Sequence, residues 1–245
     1  MHPEATSASP RGPFEPTRWS LVLRAGAEDT AQRNAALSEL YLAYWSPLYA
    51  FLRRSGRTVE DARDLLQEFF MRLLDGSLMS AADPAKGRFR TLLLAGLRHL
   101  DANAYRANSA AKRGGGRELV PLDIALAEVR WQAEGPQSES PEHAFDRAWA
   151  NVVIDRASVQ LRETYQATGK GPVFDALFPS LLGGRAEGGL AAVAERLGLS
   201  EDSVKMALSR LRHRFGEALQ AEIAQTVGSR SEVREELRYL LSVLG

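Results

Sequence analysis

Hydrophobic residues in this chain recur with the helical period of about 3.6, and almost no stretch shows the alternation of a half-buried strand. The helical patterning sets in at Trp19. Leu37, Leu40, Tyr41, Tyr44, Leu48, Phe51 and Leu52 share one face, with Pro47 as the expected site of a kink or break. Gly56 ends that element, and Thr58 is placed to cap the next, with Asp61 three residues on. Ala62, Leu65, Leu66, Phe69, Phe70 and Leu73 form a second stripe that stops at Asp75-Gly76. After a turn around Ala82-Asp83-Pro84, a third helix is marked by Phe89, Leu93, Leu97 and Leu100 and runs on into RANSAAKRGGG. The pattern resumes with Phe145, Trp149, Val153, Ala157 and Leu161, breaks at GKGP (169–172), and returns briefly from Val173 to Leu182. Val233, Leu237, Leu240, Leu241 and Leu244 close the chain as an amphipathic helix suited to cover its neighbours or to dock on a partner.

The stretch 190–219, LAAVAERLGLSEDSVKMALSRLRHRFGEAL, is more specific. Leu190, Val193, Ala194 and Leu197 form the apolar face of a short helix, and Gly198 sits where that helix must end left-handed. Ser200 caps the following helix, and Glu201 and Asp202 suit the positive end of its dipole. Helix, glycine turn and helix form the helix-turn-helix pattern. Unrolled at about 100° per residue, Val204, Leu208, Leu211 and Phe215 fall in one narrow buried stripe. Asp202, Met206, Ser209 and His213 face away from it; Lys205 and Arg212 lie on one flank, and Ser203, Arg210 and Arg214 on the other. A helix lying in a major groove needs that layout, with short or flexible side chains toward base edges and cations toward phosphates. Ser203, Met206 and Ser209 are then the base readers, Lys205, Arg212 and Arg214 the phosphate contacts, and Arg210 reaches either. The alternative is an amphipathic helix whose cations are merely solvated.

Composition divides the chain. Residues 1–16, polar and proline-rich, read as a disordered tail; 17–113 as a first helical domain; 114–141 as a linker; and 142–245 as a second domain. The fold class is all-α: two small helical domains joined by a flexible linker, the second with the helix-turn-helix. With 31 basic and 31 acidic residues the net charge is zero, so a nucleic-acid surface has to be local. Such a surface lies at the end of the first domain. Between Arg98 and Arg117 the balance is +4, with Arg98, Arg106, Lys112 and Arg113 set among His99, Asn103, Tyr105 and Asn108. Cations interleaved with amides and an aromatic suit an opened duplex, where bases are stacked or hydrogen-bonded. A solvated basic helix end is the competing reading. The linker balances to −3 and holds one short apolar turn, Ile124 to Trp131.

Catalytic chemistry finds little footing. Cysteine is absent, which removes disulfides, thiolate metal sites and thiol nucleophiles. His2, His99, His143 and His213 are scattered without ligand spacing, and GGRAEGG (183–189) lacks the Lys-Ser/Thr of a phosphate loop. The expectation is a non-enzyme without metal or cofactor. No leader pattern and no apolar run beyond Leu92–Leu97 is present, so a soluble, cytoplasmic protein without membrane insertion is expected.

With these elements in order, the chain resembles the bacterial RNA polymerase sigma factors of the small extracytoplasmic-function branch. EDARDLLQEFFMRLL (60–74) resembles the region-two helix that docks on the polymerase clamp. KGRFRTLLLAGLRHLDANAYR (86–106) resembles the segment that melts and reads the minus-ten element, and VAERLGLSEDSVKMALSRLRHRF (193–215) the region-four helix-turn-helix that reads the minus-thirty-five element. The openings TRWSLVLRAG and AKRGGG are similar to those of one group within that branch. The resemblance implies transcription initiation with core RNA polymerase (beta-prime clamp and beta flap) and promoter DNA as partners, and an anti-sigma or other regulatory partner is compatible with it. By position it makes Asp64, Gln67 and Glu68 polymerase-binding residues, with Phe69 and Phe70 nearby. Arg98, His99, Asn103 and Arg106 fall on the minus-ten side, where Lys112 and Arg113 extend the basic patch; Ser203, Lys205, Met206, Ser209 and Arg210 fall on the recognition helix, flanked by Arg212 and Arg214. Leu92 and Leu93 stand where many relatives carry Trp, and His99 where Asn is common, so no minus-ten sequence preference is carried over. The rival is a conventional helix-turn-helix regulator that binds an operator without polymerase. A purely helical scaffold would leave the basic patches unexplained.

Overall fold

The computed structural model describes residues 30–74, 88–108, 128–129, 131, 139–181, 184, 188–227 and 230–245. Among these, every regular element is helical and no strand occurs. The helices are α1 (Thr30–Arg54), α2 (Val59–Leu74), α3 (Phe89–Asn108), α4 (Pro141–Ala167), α5 (Gly171–Leu177), α6 (Gly189–Leu197), α7 (Glu201–Ala224) and α8 (Arg230–Leu244), with a 3-10 turn at Phe178–Ser180 after α5. No helix among the described residues is long and apolar enough to cross a membrane. The tail 1–16, the turn at 82–84, Lys112, Arg113 and most of 114–141 lie outside the described residues.

Local signals set the helix ends. Past the end of α1 the backbone turns left-handed at Gly56 (φ 85°), and the amides of Gly56 and Arg57 return to the carbonyls of Arg53 and Leu52. Thr58 Oγ1 accepts from the Asp61 amide at 3.1 Å, the expected cap of α2. Ser140 caps α4 by accepting from the His143 amide, and Pro141 occupies the first turn, where its missing N–H costs nothing. Of the kink or break expected at Pro47, the break does not occur: α1 runs through it. The missing bond to the Ala43 carbonyl costs about 3 kcal/mol. Burial offsets it on both sides, with Leu40 and Tyr44 before the proline and Leu48, Phe51 and Leu52 after it.

α4 is the spine, 27 residues long, or about 40 Å. Its N-terminal half lies on α1, and it also packs against α5, α7 and α8. Trp149, fully buried, stacks on Tyr44 of α1 with ring centroids 4.6 Å apart and planes within 10°. Tyr44 in turn meets Phe89 of α3 edge-on at 5.5 Å. Buried residues of α1–α3 and of α4–α8 therefore form one continuous cluster. The apolar turn of the expected linker is helical at Glu128, Val129 and Trp131 and sits against α1. There the Tyr49 hydroxyl donates to Glu128 at 2.7 Å, and the Arg54 guanidinium lies 4.4 Å from the Trp131 ring centroid.

The last helix differs from its expected stripe. Val233, Leu240 and Val243 are buried and Leu237 half-buried, but Leu241 and Leu244 are exposed. The side chain that completes the inner face is Glu236, 1% exposed. α8 is turned so that this carboxylate reaches Arg88 and Arg90. That rotation leaves Leu241 and Leu244 bordering an open apolar groove beside Phe215 and Leu219.

Candidate nucleic-acid interface

α6 and α7 are joined by the three residues Gly198, Leu199 and Ser200. Gly198 is left-handed (φ 64°), and its amide and that of Leu199 close onto the carbonyls of Glu195 and Ala194. A residue with a Cβ would be strained there. Ser200 then caps α7 by accepting from the Ser203 amide at 3.2 Å, with Glu201 and Asp202 in the first turn. These bonds set the direction in which α7 leaves the turn.

Along α7 the two faces separate as the sequence predicts. Val204, Leu208, Leu211 and Phe215 are buried, and the stripe continues through Leu219 and Ile223. Ser203, Lys205, Met206, Ser209, Arg210, Arg212 and Arg214 are all exposed. Met206, an apolar side chain 60% exposed in the middle of that polar face, is not there to fill the core. Contacts within the helix refine the assignments. The Ser203 hydroxyl lies 2.9 Å from that of Ser200, so the cap already engages it. Lys205 reaches Asp202 at 3.1 Å, Arg210 Nε donates to the Met206 carbonyl at 3.3 Å, and the Arg214 guanidinium rests 5.6 Å from the Tyr165 ring centroid. Met206 and Ser209 are left as the outward-facing side chains at the centre of the exposed face.

A second surface lies on α2. Leu65, Leu66, Phe69, Phe70 and Leu73 are buried, with Phe70 against Tyr41 at 4.7 Å between centroids. Asp64 stands out into solvent, Gln67 is half-buried, and Glu68 is exposed and bridged to Arg72 at 2.6 Å. The two phenylalanines placed near this site by resemblance thus hold the helix down, and its outer face presents carboxylates and an amide.

The third set lies on α3. Arg98 and His99 are exposed, Asn103 is half-buried, and the side chain of Arg106 lies outside the described residues, as do Lys112 and Arg113. Arg98 is paired with Glu142 at the start of α4 and lies over the Phe51 ring. A bond from its own backbone amide, and then Arg98, hold the Glu142 carboxyl below the usual carboxylate range. Asp101, the single acid of the basic stretch, meets Arg57 at 2.7 Å.

Sequence reasoning missed the charge cluster at the foot of α3. Arg90 is 8% exposed and is paired with Asp146 of α4 and, at 2.9 Å, with Glu236 of α8. Glu236 also takes Arg88 at 2.7 Å, and the Tyr239 hydroxyl donates to Asp146. Burial, and then the bond to Asp146, raise the Tyr239 hydroxyl above the ordinary tyrosine range. Two guanidiniums and two carboxylates thus neutralise each other where isolated charges would be costly. A faint signal was present, since Glu236 falls in register with Val233 and Leu240, and Asp146 three residues before Trp149.

Comparison with family models, with curated proteins and with solved structures gave no match to this chain. No group of side chains suited to a metal ion occurs among the described residues.

Proposed function

We propose that this chain is a sigma factor of the extracytoplasmic-function type, which binds core RNA polymerase and directs promoter-specific initiation. The observation that carries the reading is the division of α7: four core residues on one side, and on the other Met206 and Ser209 bracketed by four cations, behind a three-residue turn. In this reading α6 and α7 form a helix-turn-helix, and α7 enters the major groove upstream of the start site. Met206 and Ser209 meet base edges there, while Lys205 and Arg212 meet phosphates. The outer face of α2, with Asp64, Gln67 and Glu68, docks on the polymerase clamp. Arg98, His99 and Asn103 of α3 hold melted non-template DNA, with Arg106, Lys112 and Arg113 extending that surface. The polymerase performs the chemistry, and this chain contributes recognition and opening.

The docking assignment is tested with Asp64→Ala/Gln67→Ala. Neither side chain is in the core, so the unfolding free energy should change by less than about 0.5 kcal/mol per substitution. Affinity for core polymerase, measured by fluorescence anisotropy of the labelled chain, should nevertheless fall about tenfold or more, which corresponds to 1.4 kcal/mol. Unchanged affinity with a native helical spectrum would remove α2 as the docking surface. Tight operator binding by the chain alone, indifferent to polymerase, would instead identify a conventional regulator.

A further inference from the structure

Among the described residues of α7, Met206 is the one large apolar side chain that stands exposed; Val204, Leu208, Leu211, Phe215, Leu219 and Ile223 are all buried. Most of its apolar surface remains in water, where it contributes nothing to folding. The polar side chains around it are already engaged. Ser203, three residues before it, shares its hydroxyl with the cap at Ser200; Asp202, four before it, is paired with Lys205; and His213, two turns on, lies 3.5 Å from Glu217. Arg210, one turn on, bends its Nε back to the Met206 carbonyl at 3.3 Å. The centre of the face therefore offers a DNA groove one thioether and the hydroxyl of Ser209.

The chemistry of these two groups differs. A hydroxyl both donates and accepts, so Ser209 is served by any base edge. A thioether donates no hydrogen bond and accepts only weakly. The donor and acceptor pattern by which the base pairs differ in the major groove is therefore closed to it. One group on that edge is apolar, the 5-methyl of thymine. We propose that Met206 reads the 5-methyl group of a thymine in the upstream element, so that this position is chosen by an apolar contact and not by a hydrogen bond. The inference rests on the reading of α7 as the helix that enters the major groove, and it names what that helix selects. Methionine suits the task because its unbranched, polarizable side chain adapts to an apolar neighbour. Two consequences separate this contact from hydrogen-bonded base reading. Uracil, which differs from thymine only by lacking that methyl, is not accepted in its place. 5-Methylcytosine, which carries a methyl at the same ring position, recovers the contact that cytosine lacks.

The test is uracil interference with the full chain in holoenzyme. The probes are upstream duplexes selected by holoenzyme from a random library and remade with deoxyuridine scattered in place of thymidine. Bound and unbound duplexes are separated, cleaved at uracil and sequenced. With the native chain, deoxyuridine at one thymine should weaken binding about fourfold, the scale of one hydrocarbon group removed from water. Met206→Ala should bind thymine and uracil there equally, whereas Met206→Leu, which keeps a large apolar side chain, should retain the difference. At the same place the native chain should bind 5-methylcytosine about fourfold more tightly than cytosine, and Met206→Ala should bind the two equally. The side chain is exposed, so both variants should keep the native helical spectrum, which is recorded first. If no thymine of the selected duplexes shows a preference for its methyl, or if Met206→Ala keeps that preference, the proposal is overturned and Met206 is a solvated side chain. Selection by the native holoenzyme keeps the two claims apart. If duplexes are selected without a methyl preference that depends on Met206, the thymine contact alone is refuted; if no duplex is selected, the functional reading falls and the contact with it.

Discussion

Replacing Trp149 by alanine removes the side chain that joins the two parts of the core. The indole is fully buried, and its stack on Tyr44 continues edge-on into Phe89, so one side chain of α4 contacts α1 and, through Tyr44, α3. Burial of about 200 Å² at about 25 cal/mol per Å² corresponds to about 5 kcal/mol. The aromatic pair adds about 1 kcal/mol, while partial collapse of the site and the retained Cβ reduce the sum. Measured losses for such truncations run at about 3–5 kcal/mol, and about 4 kcal/mol is expected here. Guanidinium unfolding followed by far-ultraviolet circular dichroism reads it as a midpoint lowered by about 0.7–1 M. Trp149→Phe, which keeps a ring against Tyr44, should lose less. A loss below about 1 kcal/mol for Trp149→Ala, the scale of an ordinary substitution, would mean that α4 does not depend on this seam and would refute the description of one continuous core.

Two further outcomes follow from particular side chains. In a promoter-library selection with whole holoenzyme, Met206→Ala and Ser209→Ala should alter upstream-element preference at one or two positions by about 1–3 kcal/mol; Arg212→Ala should lower output across the library, and uniform loss from all three would make α7 a supporting helix only. Stability should also respond to alkali through Tyr41, whose hydroxyl burial pushes up to about 12 from 10.0. A raised value means that the folded state favours the neutral phenol, so its contribution is complete below pH 10 and lost as the pH climbs toward 12. Tyr41→Phe should therefore show a shallower decline of unfolding free energy across that window, and identical slopes would contradict it.

Most of the helical architecture was legible because it rests on local signals. The stripes Ala62–Leu73, Phe89–Leu100 and Val204–Phe215 are buried at the positions their spacing indicates, and Thr58 and Ser200 cap the helices that follow them. The exceptions are tertiary. Pro47 reads as a kink or break when only its own residue type is considered, yet apolar burial on both sides keeps α1 in one piece. Periodicity places Trp149 on an apolar face but cannot name Tyr44 as the ring it meets, since more than a hundred residues separate the two. The buried side of α8 does not coincide with its leucine stripe, although Leu241 and Leu244 look better suited to burial than a glutamate. The outcome was decided by Arg88 and Arg90, which meet Glu236 from the far side of the chain. On α7, the buried and exposed faces were readable residue by residue. The engagement of Ser203 by the cap and the packing of Arg214 on Tyr165 were not, because both depend on which rotamer the neighbours leave open.

The central claim is that this chain confers promoter choice on a polymerase, and reconstituted transcription tests it most directly. Purified core RNA polymerase, with and without the full chain, is given a library of random upstream sequences, and the 5′ ends of the transcripts are sequenced. The account predicts discrete start sites that appear only with the chain, downstream of a shared pair of sequence elements, and that are lost with Asp64→Ala/Gln67→Ala. Transcripts with the same start sites in the presence and absence of the chain would contradict it.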